Sequence, residues 1–250
     1  MPFGLLIIGD EILSGKRTDK HFPALRDILA ARGLALDWVL YLGDDRQRLA
    51  GALARSFAGD DVVFSCGGIG ATPDDHTRQA AAQALGLPLE LHPEAARLIT
   101  ERSREVGLEA TPGRLEMGEF PRGADLIPNP YNRIPGFSIR NHWFVPGFPD
   151  MAWPMLKWVL DTHYVHLFHR NPQAEKAVIV RGLAEATLTP LMQDVEHRWP
   201  GIKVFSLPRL NPHTYEIELG VKGDPAHIPA AFAWLREGVD KLGGQIEALP

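Results

Sequence analysis

Apolar and polar positions follow two patterns along this chain. Residues 3–8 (FGLLII) and 61–66 (DVVFSC) are short, nearly continuous apolar runs, as expected of strands buried on both faces. Between them the apolar positions fall at helical spacing. Phe22, Leu25, Ile28 and Leu29 form such a stripe within residues 20–32, and Gly33 suits the stop. Leu49, Leu53 and Phe57 form another within residues 46–57, with Asp45 placed to cap it. Residues 34–42 read as a further strand, and about 75–85 as a helix. Strand followed by helix, three times over, predicts an α/β fold with a mainly parallel sheet covered on both faces. Ligands of such sheets bind beyond the carboxyl ends of the strands, which here are Gly9–Gly15, Gly43–Asp45 and Gly67–Asp75.

Farther along, residues 93–106 read as a helix, 110–136 as irregular and rich in Pro and Gly, 137–140 and 142–145 as short strands, and 149–160 as a helix. Residues 161–175 read as a linker. The pattern then changes. Strands at 176–182, 202–208, 214–221 and 244–248 alternate with helices at 184–197 and 226–242, with a turn at Asn211-Pro212. That βαββαβ order predicts a small ferredoxin-like α+β domain. The expected domains are therefore 1–165 and 176–250.

Composition narrows the function classes. The apolar fraction is 45%, the charged fraction 23% and the net charge −5 across 250 residues. A mildly acidic globular chain without a clustered basic surface does not suit nucleic acid. No apolar run reaches the roughly 20 residues of a membrane span. The single cysteine, Cys66, allows no disulfide within the chain, so a cytoplasmic location is expected.

The chemistry concentrates in residues 67–77, GGIGATPDDHT. Gly67, Gly68 and Gly70 lie between a strand and a helix, where bare backbone N–H groups and the helix dipole favour a phosphate. Thr72 and Thr77 add hydroxyls, and Asp74 and Asp75 place carboxylates beside the same anion. A divalent cation such as Mg²⁺, held by Asp75 with Asp74, Asp44 or Glu11, reconciles the two charges. GDEILSG (9–15) and Gly43-Asp44-Asp45 bring further acids to neighbouring strand ends, with Asp10 and Glu11 facing the same crevice as Asp75. Pro146 and Gly147, in VPGFPD, form a rigid turn that presents backbone N–H groups. There is no Walker A lysine and no GxGxxG spacing. His163, His166 and His169 mimic a metal row but stand among Tyr164, Leu167 and Phe168. They read as packing residues, as do Cys66, Trp153 and Trp158, and Arg78 reads as an exposed helix residue.

GDEILSG, Gly43-Asp44-Asp45, GGIGATPDDHT and VPGFPDM, in this order and spacing, closely resemble the amino-terminal domain of the competence/damage-inducible CinA family, within the molybdopterin-binding MoaB/Mog superfamily. The likeness covers residues 3–160, and 176–250 resemble the small domain that follows it. The resemblance implies a three-layer sandwich and an oligomer. It also implies a small phosphorylated ligand, with Asp44 and Asp75 as the important acids. CinA-like domains are linked to metal-assisted cleavage of nucleotide pyrophosphates such as ADP-ribose, whereas the superfamily's other members bind pterin phosphates. Metal-dependent hydrolysis and non-catalytic binding thus both stand as expectations. In the family's Asn-x-x-Gly-Thr-Ala-Pro-Gly stretch, Asn129, Pro135 and Gly136 match, so Asn129 is expected at the ligand, while Arg133 and Ile134 replace small residues. Ala71 stands where the family usually has Pro, and the Lys often found before the stretch is not evident near Met117. The nicotinamide mononucleotide deamidase domain carried by many CinA proteins is not expected, since the sequence ends at Pro250.

Overall fold

The structure, a computed structural model, describes residues 1–170, 173–211 and 214–249. The chain divides into two compact units, Met1–Phe168 and His169–Pro250.

In the first unit, chain order runs β1 (Phe3–Ile8), α1 (Asp10–Leu13), α2 (His21–Ala30), β2 (Trp38–Leu42), α3 (Arg46–Phe57), β3 (Val62–Cys66) and α4 (Thr77–Leu85). There follow β4 (Leu89–Leu91), α5 (Pro93–Glu105), α6 (Pro112–Leu115), β5 (Glu119–Pro121), β6 (Asp125–Ile127), β7 (Gly136–Ile139), β8 (His142–Val145) and α7 (Pro149–His163). The main sheet has the order β2-β1-β3-β8-β7-β6. Its first four strands are parallel, and β7 and β6 extend it antiparallel.

Every residue of β1 is buried, and the period of two along a strand sends them to two cores. Phe3, Leu5 and Ile7 join Val62, Phe64 and Cys66 against Leu25 and Leu29 of α2 and Met155 and Leu156 of α7. Leu6 and Ile8 join Val63 and Phe144 against Leu49 and Leu53 of α3 and Ala80 and Ala81 of α4. Two helical layers thus cover one sheet, as the continuous apolar runs imply.

Several expectations need correction. Phe22 is exposed, and His21 takes the buried place beside Leu25. The second strand begins only at Trp38, because Asp37 pairs with Phe3 first, its N–H donating to Phe3 O (2.8 Å) and its carboxylate accepting from Phe3 N–H (2.7 Å). The irregular stretch 110–136 holds α6, β5 and β6; three-residue strands are too short to show a period. His163 packs on Trp143 (4.6 Å between ring centroids) and Trp158 (5.5 Å), as a packing residue would.

The second unit comprises β9 (Ala174–Arg181), α8 (Glu185–Arg198), β10 (Lys203–Asn211), β11 (Thr214–Gly223), α9 (Ile228–Lys241) and β12 (Gln245–Ala248). Its antiparallel order β10-β11-β9-β12 is the ferredoxin-like arrangement. Val178, Val180, Ile217 and Leu219 line one sheet face under Leu188, Val195, Leu235 and Val239. Pro212, in the expected turn, lies outside the described residues.

One buried group makes the fold pH-sensitive. His142, 1% exposed, packs against the Phe57 ring (4.1 Å between centroids) and shares a hydrogen bond with Ser56 Oγ (2.7 Å). Burial, reinforced by Arg140 and opposed by Asp61, pushes its pKa down to about 4. The unfolded chain therefore takes up this proton near pH 6.5, well before the folded one does, and stability falls as pH drops from there towards 4. Urea unfolding at pH 7 and pH 5 should show a loss of about 2 kcal/mol that His142→Gln largely abolishes. An equal loss in the variant would assign the slope to other groups.

Candidate ligand-binding site

The turns after β2, β1, β3 and β8 meet in one crevice of about 370 Å³. Glu11 comes from the turn after β1, Asp44 from β2, Gly67–Thr72 with Asp74 and Asp75 from β3, and Pro146–Phe148 from β8. A volume of this size suits a small ligand.

The loop after β3 is built around glycine. Gly67 leaves the strand at φ 110° and Gly68 follows at φ 68°. A Cβ at Gly67 would stand 2.3 Å from the Ile8 carbonyl oxygen, and one at Gly68 2.2 Å from Thr77 Oγ1. Rotation and space both require glycine there. Thr77 is buried, its Oγ1 donating to Gly67 O (3.0 Å) and its N–H to Gly68 O (3.0 Å). It braces the loop and is not part of the crevice lining. Arg78, expected on the exposed face, is 2% exposed. Its guanidinium donates to Gly70 O (2.7 Å) and to Glu116 O, because the 110–118 segment folds over this end of α4 and supplies an acceptor. Asn129 is also buried away from the lining; its amide closes its own turn, donating to Ile134 O (3.0 Å) and accepting from Tyr131 N–H (3.0 Å).

The carboxylates fall into two groups. Asp75 Oδ2 accepts from the Thr72 N–H (2.8 Å) and from the Thr72 hydroxyl, holding the 72–75 turn closed. Asp44 and Asp10 exchange bonds: Asp10 N–H donates to Asp44 Oδ2 (2.8 Å), and Asp44 N–H to Asp10 Oδ1 (3.2 Å). That exchange turns Asp10 to the outer flank, with Leu13, Ser14 and Lys16, and not towards Asp75. Glu11, Asp44 and Asp74 reach both sides. Asp45 caps α3 instead, accepting from Arg48 N–H (2.8 Å). Burial raises the Asp44 carboxyl above the usual range; the Asp10 N–H opposes this, and the carboxylates of Asp10, Glu11 and Asp74 add to it.

Among the described residues no group of three or more His, Cys, Asp or Glu side chains is gathered to hold a metal ion. The donor set fits Mg²⁺ in the way that ion is usually held, by one or two carboxylates together with ligand phosphates. Among the lining residues that escaped the sequence reading, two stand out. Arg17 is a cation in an otherwise acidic wall, and Phe148 presents an exposed ring. The signal for Phe148 was an aromatic at a helix N-cap, where a small polar residue is the usual choice.

The unit that carries this crevice is of the class of probable molybdopterin-binding domains, the MoaB/Mog type. The chain belongs to that family: residues 4–165 match the family model described as "Probable molybdopterin binding domain". The chain is 38% identical over 224 residues to a CinA-like protein of Anaeromyxobacter dehalogenans, covering 82% of this chain and 54% of that protein. It is 34% identical over 260 residues to a CinA-like protein of Geobacter metallireducens, covering 99% and 61% respectively. The chain thus spans little more than half the length of these two relatives. A crystal structure of the protein CinA from Thermoplasma acidophilum, titled as of unknown function, superposes with a TM-score of 0.57 at 25% identity, covering 64% of this chain and 96% of that one. No helix among the described residues is long and apolar enough to cross a membrane.

Proposed function

We propose that this crevice binds a nucleotide-type diphosphate together with a divalent cation and hydrolyses its pyrophosphate bond. The observation that carries this is the meeting, in one crevice, of a glycine-lined backbone loop with Glu11, Asp44, Asp74 and Asp75. The N–H groups of Gly67 and Thr72 are taken by Val145 O and Asp75 Oδ2, those of 68–71 suit phosphate oxygens, and Arg17 adds a positive charge to the lining. Four carboxylates beside a diphosphate repel it unless a cation lies between them. Asp75, with Asp74 or Asp44, would hold that cation, and Glu11 stands at the same wall. When bound, the cation offsets charge building on the leaving phosphate. The protein's own share is to orient the diphosphate, fix the acids and narrow the access of water.

A release assay over ADP-ribose, FAD and NAD, with Mg²⁺, Mn²⁺ or Co²⁺, tests this reading. Turnover that EDTA abolishes and added metal restores is the expected result. A second reading, binding without turnover, draws on the commitment of Asp75 Oδ2 to Thr72 and on the lack of a gathered three-carboxylate cluster among the described residues. Binding of these compounds with no product under any metal would replace the first reading by the second.

A further inference from the structure

Phe148 is the residue at this site whose identity nothing local explains. It stands at the N-cap of α7, yet its side chain makes no capping bond. It is not core, since it is 58% exposed. Its backbone is nevertheless fixed, its carbonyl accepting from Met151 N–H (3.0 Å) and Ala152 N–H (2.8 Å). The turn it belongs to is held from the other side as well. His21, nine-tenths buried, bonds through Nε2 to Gly147 O (3.0 Å), and its Nδ1 has no partner. With Gly147 O as an acceptor, Nε2 carries the proton. Gly147 also packs close to Gly67, since a Cβ on it would meet Gly67 Cα at 3.4 Å. A rigid turn therefore sets an exposed aromatic residue in the lining of a crevice that also carries the glycine loop, Ile8, Ile69 and four carboxylates.

An exposed ring in this lining invites a flat partner. Aromatic faces stack on heterocycles of any sequence or substituent pattern because each presents a π-face. We propose that Phe148 is a specificity-determining residue that stacks on the planar ring of a phosphorylated ligand whose diphosphate lies on the 67–72 loop, with His21 positioning the turn. This inference rests on the reading of the crevice as a nucleotide-type diphosphate site and assigns recognition of the ligand's heterocycle to Phe148. It sets ring-free polyphosphates apart as weak ligands.

The test is calorimetric titration of the full chain in Mg²⁺ with ADP, FAD and inorganic pyrophosphate. The wild type should bind ADP and FAD more tightly than pyrophosphate. Phe148→Ala and Phe148→Leu should weaken ADP and FAD by about 10-fold or more, the scale of one lost stacking contact, and leave pyrophosphate unchanged. Phe148→Tyr, which keeps the ring, should retain the wild-type affinities. The Leu variant keeps apolar bulk at the site, so it decides the matter even if the Ala variant folds poorly. His21→Ala should weaken all three ligands, because it loosens the turn itself. Pyrophosphate binding with no advantage for ADP or FAD, or equal losses for all three ligands in the Phe148→Leu protein, overturns the stacking role and leaves the diphosphate reading standing. Failure of all three ligands to bind the wild type overturns both. A changed oligomeric size in the Leu variant with unchanged ring affinities also overturns the proposal and assigns the ring to contact between copies.

Discussion

Gly67→Ala should cost about 4 kcal/mol of folding stability and abolish ADP binding. Two separate penalties meet at this residue. Its φ of 110° lies where an L side chain is strained, which costs roughly 1–3 kcal/mol. The added Cβ would also stand 2.3 Å from Ile8 O, a backbone atom of the buried strand β1 that no rotamer change can move aside. Forcing such an overlap typically costs about 1–3 kcal/mol. The residue cannot shift away, because its N–H donates to Val145 O (3.0 Å) and Thr77 holds its carbonyl. Gly86→Ala is the matched control. It has a left-handed φ of 64° and nothing within 4 Å of a Cβ, so it should cost only about 1 kcal/mol. Urea unfolding of the two variants separates strain from contact. If Gly67→Ala lost no more than Gly86→Ala, the close approach between β1 and the loop would not be rigid.

The same residue shows why parts of this protein could be read directly from its sequence. Strands buried on both faces must be continuously apolar, so β1 and β3 stand out, and the glycine run after β3 marks where the backbone has to turn sharply. The stripe on α3, Leu49, Leu53 and Phe57, is buried as its spacing requires. The ferredoxin-like unit was legible for the same reason, its strands being eight to ten residues long in three of four cases. The strands β4, β5 and β6, of three residues each, carry no period, and β4 and β5 pair across a long stretch of intervening chain. Arg78 was misread because a charged residue on a helix is usually solvated. Only the fold brings the carbonyls of Gly70 and Glu116 to it. Among the acids, residue type pointed to the region, but which of them turn inward depends on side-chain hydrogen bonds. Asp45 goes to the first turn of α3, as its place before the 46–57 stripe implies, whereas Asp10 is drawn to the Asp44 N–H and Asp75 to Thr72. Neither of these last two choices leaves a trace in spacing.

Asp75→Asn should lower turnover of the pyrophosphate substrate by about 100-fold or more while leaving the fold intact. The substitution is chosen because it separates charge from shape. An asparagine oxygen can still accept from the Thr72 N–H and hydroxyl, so the 72–75 turn keeps its bonds. What is lost is the negative charge beside the 67–72 loop. A structural role for Asp75 predicts a fall in thermal stability with activity declining only in proportion, and that outcome would remove it from the chemistry. Asp44→Asn makes the opposite trade visible. Burial already holds the Asp44 carboxyl above its ordinary pKa, and Asp10, Glu11 and Asp74 add repulsion. A group whose folded pKa is raised is disfavoured as an anion, so at pH 7 its charge works against folding. Neutralising it should therefore raise stability, and should also weaken binding of Mg²⁺ with ADP. A carboxylate kept where it destabilises the free protein, and needed only when a cation and a phosphate arrive together, is what a site arranged for that pair requires. If Asp44→Asn raised stability without weakening the Mg²⁺-dependent binding, the acidic wall would have no part in holding the cation.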